Sequence, residues 1–358
     1  MADVVVLFSG GLDSLLTAKL LQEQGLAVRC LHCVSPFFGD TRAVDGWRNE
    51  YGLDMDVLDV GDEFVGMLRE RPEYGFGKVM NPCVDCKILL LRCAREYMFA
   101  IGAQAIATGE VLGQRPMSQR RDTLNVIERD AGVKGLLLRP LSAKLLAPTM
   151  AEERGLIQRE RLLSISGRGR TEQLALAAHF GLHDIPTPGG GCRLAEKENA
   201  RRYWPVLTRV PRATAADFAL ANAGRQFWRE EEGQAYWLAI GRNEADNAAL
   251  ASCVREGDML LELAHGQGPL ALARNGCFWP RPLLLDACAM AASYATKEVA
   301  KQPGQALAVR LHDAGDRDEV VPVHPARQQS WRTPSWDEVR AAIREEARNR
   351  QSSVANSL

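Results

Sequence analysis

Leu7-Phe8-Ser9-Gly10-Gly11-Leu12-Asp13-Ser14 is the stretch that decides how this chain folds. It follows residues 3–8, a continuous β-branched and apolar run expected as a strand buried on both faces. It opens residues 14–24, where leucines and alanines recur at helical spacing and Gly25 can end the helix. A strand, a glycine turn and a helix in that order form the place where a doubly wound sheet binds anions. Gly10 and Gly11 let the backbone approach a phosphate, Ser9 and Ser14 add hydroxyl donors, and the helix start supplies free N–H groups. Asp13, in the first turn, can cap the helix or help hold Mg2+. An ordinary glycine turn is the plain alternative. The stretch has no Gly-Lys-Ser/Thr and no Gly-x-Gly-x-x-Gly, which sets it apart from the Walker and dinucleotide loops.

Outward from this loop, strand-like and helix-like segments alternate. Residues 26–34 and 55–60 read as strands, 63–70 and 86–101 as helices, and 104–108 as a strand again. The alternation predicts an α/β fold, a doubly wound parallel sheet with helices on both faces. Residues 113–130 are polar and arginine-rich, with no element expected. Residues 136–141 read as a strand, 151–155 and 171–180 as helices, and 186–192 as a Pro/Gly loop. A boundary is expected near 205–215, giving a first domain over 1–204. A smaller α+β domain is expected over 216–335, with short strands at 236–240, 259–263, 270–274, 306–311 and 319–322 and a helix at 286–295. Residues 336–358 read as a charged helical tail.

The chain has 358 residues, 46% of them apolar and 25% charged, with a mean hydropathy of −0.19. This is ample material for a core and excludes a disordered, fibrous or disulfide-stapled protein. No apolar run is long enough for a membrane span, and the N-terminus has no secretion signal. A net charge of −1 leaves nucleic-acid binding to local patches. Nine cysteines without a secretion signal imply a reduced, cytoplasmic setting, where thiols are core fillers, metal ligands or nucleophiles.

Cys83 and Cys86 lie at i and i+3 at the start of a strong helix, so both sulfurs share a face, and the helix N-terminus is expected to lower their pKa. Cys192 ends a Gly-Gly-Gly run that can present its thiol to a site. These three could hold three irons of a cubane 4Fe-4S cluster and leave the fourth iron open. Two of them could instead work as a persulfide and resolving pair; zinc is a third option. Cys30 and Cys33 sit in a strand and are expected on opposite faces of the sheet, in the core. Cys93, Cys253, Cys277 and Cys288 read as structural, and His32, His179 and His183 as surface or core residues.

Taken together, these motifs resemble the PP-loop ATP pyrophosphatase superfamily. Ser-Gly-Gly-Leu-Asp-Ser looks like its signature. Thr108-Gly109-Glu110-Val111-Leu112-Gly113-Gln114, then Ser118-Gln119 and Arg139-Pro140-Leu141, resemble segments of tRNA 4-thiouridine synthases. Asn81-Pro82-Cys83-x-x-Cys86 resembles the cysteine motif of tRNA 2-thiouridylases. The resemblance implies an enzyme that cleaves ATP to AMP and pyrophosphate, adenylates a uridine carbonyl oxygen of tRNA, and lets sulfur displace it. Ser9, Gly10, Gly11, Asp13, Ser14 and Gly109 would then serve ATP, while Cys83, Cys86 and Cys192 handle sulfur from sulfide or a persulfide carrier protein. Residues 240–247 and 258–262 resemble an NFACT-R RNA-binding module, which makes Arg242 and Asn243 RNA contacts, with Arg168 and Arg170 of Ser-Gly-Arg-Gly-Arg beside them. Alternatively, the second domain caps the site or mediates a homodimer. A different adenylating synthetase of the amidotransferase kind, or an RNA-binding adaptor, remains the competing reading of the chain. Which uridine is modified stays open.

Overall fold

The computed structural model describes residues 2–182 and 191–355. The chain divides into two compact units, Met1–Glu196 and Lys197–Leu358. In the first unit the order is β1 (Val4–Leu7), α1 (Leu12–Glu23), β2 (Val28–Val34), α2 (Val44–Tyr51), β3 (Asp54–Asp59), α3 (Gly61–Glu70), α4 (Cys83–Ala100), β4 (Ala105–Thr108), α5 (Arg121–Ala131), β5 (Leu137–Leu138), α6 (Met150–Glu153) and α7 (Thr171–His179). The five strands form one sheet in the order β3-β2-β1-β4-β5. Every pairing is parallel, with Val4 opposite Val28 on one side and Ala105 on the other. The expected doubly wound sheet is therefore present.

Alternate residues of the central strands feed two cores. Val4, Val6, Cys30, Ala105 and Ala107 pack on one face with Leu15 and Leu21 of α1. Val5, Leu31, Cys33 and Ile106 pack on the other with Ile88 and Leu91 of α4. Cys30 and Cys33 thus fall on opposite faces, as the two-residue period of a strand requires, and burial pushes both thiols up to about 12.

Three sequence expectations need correction here. The polar stretch 113–130 contains α5, whose Leu124, Ile127 and Ala131 form one buried stripe while its arginines stay outside. The strand expected over 136–141 shortens to Leu137–Leu138, because the chain turns at Arg139, whose carbonyl accepts from Ser142 N at 2.9 Å. The helix α2 was not anticipated. Its two buried residues, Val44 and Tyr51, stand at opposite ends and leave too few apolar positions to give a period.

The second unit holds α8 (Lys197–Arg209), α9 (Ala215–Asn222), β6 (Arg225–Glu231), β7 (Gln234–Ile240), α10 (Glu244–Ser252), β8 (Met259–Leu263), β9 (Ala271–Arg274), α11 (Arg281–Ala292), α12 (Thr296–Lys301), β10 (Leu307–His312), β11 (Asp318–Val323) and α13 (Trp336–Ala355). Its six strands run in the order β11-β10-β8-β9-β7-β6, all antiparallel. The apolar helix α11 covers one face through Leu284, Ala287 and Cys288. Helix α8 groups with this unit, packing on α9 and α13, so the division falls ahead of residues 205–215. Part of the charged tail is anchored too, since Val339 is buried.

Candidate active site at the phosphate loop

The sheet reverses its winding between β1 and β4, and the loops that leave these two strands meet there, as expected at a topological switch point. Gly10 has φ +77°, a left-handed conformation that a side chain would strain. A Cβ added to it would come within 2.6 Å of the Trp47 ring. The Ser14 hydroxyl donates to Gly11 O at 2.8 Å and accepts from Ser9 N at 3.2 Å, drawing the loop around the start of α1. Asp13 does not cap α1. Its Oδ2 instead accepts from Gln114 Nε2 at 3.0 Å, while its buried Oδ1 has no partner. A buried carboxylate oxygen without a donor suits a hard cation such as Mg2+.

Upstream of the loop, the buried His32 donates from Nδ1 to Phe8 O at 2.8 Å and accepts at Nε2 from Asp40 N at 3.1 Å. That pair of bonds fits neutral imidazole only, and burial lowers its pKa. Of the two places expected for His32, surface or core, the structure gives the core, where it ties the end of β1 to the loop after β2. His179 is on the surface, 2.8 Å from Glu23, and His183 lies outside the described residues.

Gly109 is where the β4 loop touches the phosphate loop. A Cβ there would stand 2.4 Å from the carbonyl carbon of Asp13 and 2.6 Å from Ser14 N. The next residue, Glu110, is fully buried. Its Oε2 accepts from Arg139 Nε at 3.1 Å and from Thr108 Oγ1 at 3.2 Å, and Lys87 Nζ lies 3.8 Å from Oε1. Burial alone would raise the Glu110 pKa. Lys87 and Arg139 outweigh it and hold the carboxyl below its ordinary value. Arg139 in turn binds Glu128 of α5. The sequence showed Glu110 and Arg139 only as motif letters, and Lys87 drew no attention. The signal that could have linked them is charge: each is an isolated charged residue beside an apolar run.

The thiols converge on the same sheet edge. Asn81 Nδ2 donates to Cys83 Sγ at 3.1 Å and to Met117 Sδ at 3.6 Å, in the loop that carries Gln114. Beyond Cys192, Arg193 N donates to Phe37 O at 2.9 Å, after β2, and Leu194 O accepts from Met80 N at 3.1 Å, ahead of α4. Cys192 is thereby held between these two segments and is half-buried, not freely presented; residues 183–190 of the preceding Pro/Gly loop lie outside the described residues. Cys83 and Cys192 both add charge repulsion at Cys86, and Cys83 does so at Cys192, so each thiol lies within electrostatic reach of the other two. The expected lowering at the helix start does not hold for Cys86. Burial dominates there and raises its pKa well above the ordinary thiol value, despite Lys87 beside it. Among the described residues no group of three or more His, Cys, Asp or Glu stands ready-made to hold a metal ion. By chemistry alone, a donor set of soft thiols suits an iron–sulfur cluster better than a hard cation.

Of the residues read as RNA contacts, Arg168 is exposed and Arg170 precedes α7 in the first unit. In the second unit, Arg242 Nε binds Asp246 at 2.6 Å, which holds that carboxyl at about 2. The Asn243 side chain accepts from Asp246 N and caps α10. The Gly-Arg-Asn turn thus has a local structural use.

Residues 1–144 match the family model described as "Thiamine biosynthesis protein (ThiI)". That match lies within the first unit and takes in the whole five-stranded parallel sheet. The tRNA-specific 2-thiouridylase MnmA of Azoarcus sp. (strain BH72) is 30% identical over 176 residues, 44% of this chain and 47% of its own length. MnmA of Aromatoleum aromaticum is 30% identical over 227 residues, 57% of each. The chain therefore spans about half the length of the curated relatives it matches. Among solved structures, the U34-tRNA thiolase NcsA from Methanococcus maripaludis, with its 4Fe-4S cluster, is 19% identical over 52% of this chain and 60% of that one, with a TM-score of 0.29. A likeness of that size carries no argument. No helix among the described residues is long and apolar enough to cross a membrane.

Proposed function

We propose that the protein is an ATP-dependent tRNA uridine thiolase acting in the cytoplasm. The observation that carries this reading is the meeting of a phosphate loop with three neighbouring thiols at the switch point of one parallel sheet. ATP lies along Ser9, Gly10, Gly11 and Ser14, with Gly109 leaving room beside them. Asp13 would hold Mg2+ through the oxygen that has no partner, where the ion would offset phosphate charge. A uridine carbonyl oxygen attacks the α-phosphorus and pyrophosphate leaves. A sulfur nucleophile then bonds to the same ring carbon, and AMP leaves with the oxygen. Cys83, Cys86 and Cys192 would hold a 4Fe-4S cluster, whose chemistry would be to carry soft inorganic sulfur. Glu110 and Arg139 keep the β4 loop fixed against the phosphate loop. Arg168 and Arg170, and Arg242 and Asn243 in an NFACT-R-like second domain, contact the tRNA.

The test is reconstitution. Protein purified without oxygen and given ATP, tRNA and sulfide should release AMP and pyrophosphate, with thiouridine found by nucleoside mass spectrometry. It should contain about four irons per chain, and alanine at any of the three cysteines should remove both iron and thiolation. Iron-free protein that thiolates at full rate only when a persulfide donor replaces sulfide would replace the cluster by persulfide chemistry, in which the donor passes its outer sulfur to Cys86 or Cys192, that sulfur bonds to the activated carbon, and the other thiol releases it by forming the Cys86–Cys192 disulfide. AMP formation on an amide or carboxylate, with no thiouridine, would replace the whole reading by a synthetase.

A further inference from the structure

The second unit contains a cleft of about 300 Å³, formed where the end of α8, strand β6 and residues 329–332 come together. Its walls carry Arg209, Arg229, Arg332, Trp228, Glu230 and Glu231. Nothing said so far about ATP, sulfur or the Gly-Arg-Asn turn uses these residues.

The cleft is built on fixed backbone. Trp228 N donates to Arg332 O at 2.8 Å and Arg332 N donates to Trp228 O at 3.0 Å, so residue 332 extends the edge of β6 like a strand of one residue. The Trp228 ring is also fixed. It stacks on Trp237 with centroids 4.9 Å apart, and the Arg209 guanidinium lies over it at 5.7 Å. With its faces taken, Trp228 offers only its edge. Its Nε1–H, on a side chain that is 2% exposed, has no hydrogen-bond partner. A buried donor left unpaired costs about 1–3 kcal/mol unless something accepts from it.

The cations point the same way. Arg229 spends both terminal nitrogens, on Asp286 and on Glu231, and is structural. Arg209 and Arg332 each spend one, on Glu230 at 2.6 Å and Glu338 at 2.5 Å. A guanidinium has five N–H donors, so both keep donors to spare. Burial lowers the Arg209 pKa, and of its charged neighbours Glu230 and Glu338 oppose that while Arg332 adds to it. Two guanidinium groups that repel each other across a cleft are relieved by an anion between them. Glu230 is 59% exposed and can swing to solvent to admit one.

We propose that this cleft is a phosphate site, in which a phosphate group lies between Arg209 and Arg332 beside the Trp228 edge. Phosphate oxygens are the acceptors this donor set matches, and the covered indole faces exclude a stacked base. The phosphate belongs to an RNA strand or to a free phosphate ester. The site stands apart from Arg242 and Asn243 and needs no RNA-binding role for that turn.

The experiment uses the full chain, its phosphate loop filled with a non-hydrolysable ATP analogue. Arg209→Gln, Arg332→Gln and a charge-matched control, Arg310→Gln on β10, are compared with the unaltered protein. Inorganic phosphate is titrated by calorimetry and labelled tRNA by fluorescence anisotropy. Phosphate binding should weaken about fivefold or more in both cleft variants and stay unchanged in the control. A matching loss of tRNA affinity, with a salt slope shallower by about one, assigns the phosphate to an RNA strand. Unchanged tRNA affinity assigns it to a free ester. Phosphate binding that is absent from the unaltered protein, or equal in all four proteins, overturns the site; loss of tRNA binding on Arg242→Gln would bear only on the turn.

Discussion

Asp13 has one carboxylate oxygen bonded to Gln114 and the other buried without a donor, so its charge is held ready for a partner from outside the chain. Asp13→Ala should abolish AMP and pyrophosphate release while the melting temperature stays close to that of the unaltered protein, checked by a coupled pyrophosphate assay and calorimetry. Glu110 makes the opposite prediction. Removing its charge by Glu110→Gln leaves the buried Arg139 with Glu128 alone as its carboxylate partner among the described residues, which should cost about 1–3 kcal/mol in urea unfolding. His32 gives a pH dependence. Its folded pKa lies below 6.5, so the unfolded chain takes up the proton first. Its contribution to stability is complete above that value and shrinks as pH falls below it. The urea midpoint should therefore drop from about pH 7 to pH 5, and His32→Gln should flatten that part of the profile.

The loop after β1 and the loop after β4 come so close that one of them can have no side chain at the contact. Gly109→Ala should push the β4 loop off Asp13 and Ser14. Nucleotide affinity should fall by at least about tenfold while the circular dichroism spectrum is retained, as filter binding of labelled ATP would measure. The central elements were legible because both faces of β1, β2 and β4 are buried, which leaves unbroken apolar runs in the sequence. Their junction was legible because Ser9–Ser14 needs glycine and hydroxyl together. Helix α5 was hidden because three apolar residues suffice to bury its inner face among eight others. Strand β6 was hidden because Gln226, a polar residue, occupies an inward position there, donating to Leu220 O and accepting from Trp237 Nε1. The state of Cys86 was illegible for a different reason. The helix start is visible in sequence, but the burial that overrides it comes from segments far along the chain.

At the scale of the whole chain, a near-neutral protein proposed to bind a polyanion must do so through local groups of arginine. Affinity for tRNA should then fall linearly with the logarithm of salt concentration, with a slope that counts the phosphates contacted, as a titration series in potassium chloride would read. The division into two units at Glu196 also has an optical consequence. Of the seven tryptophans, only Trp47 precedes residue 197. In the other unit, Trp228 and Trp237 lie nearly parallel at 13°, and Trp279 and Trp331 at 23° with centroids 5.6 Å apart. Indoles stacked this closely share their excited states, and such coupling gives a paired positive and negative band in far-ultraviolet circular dichroism. That couplet belongs to one unit alone. Followed against temperature beside the helix signal of the full chain, it separates the melting of the antiparallel unit from that of the parallel-sheet one without cutting the chain.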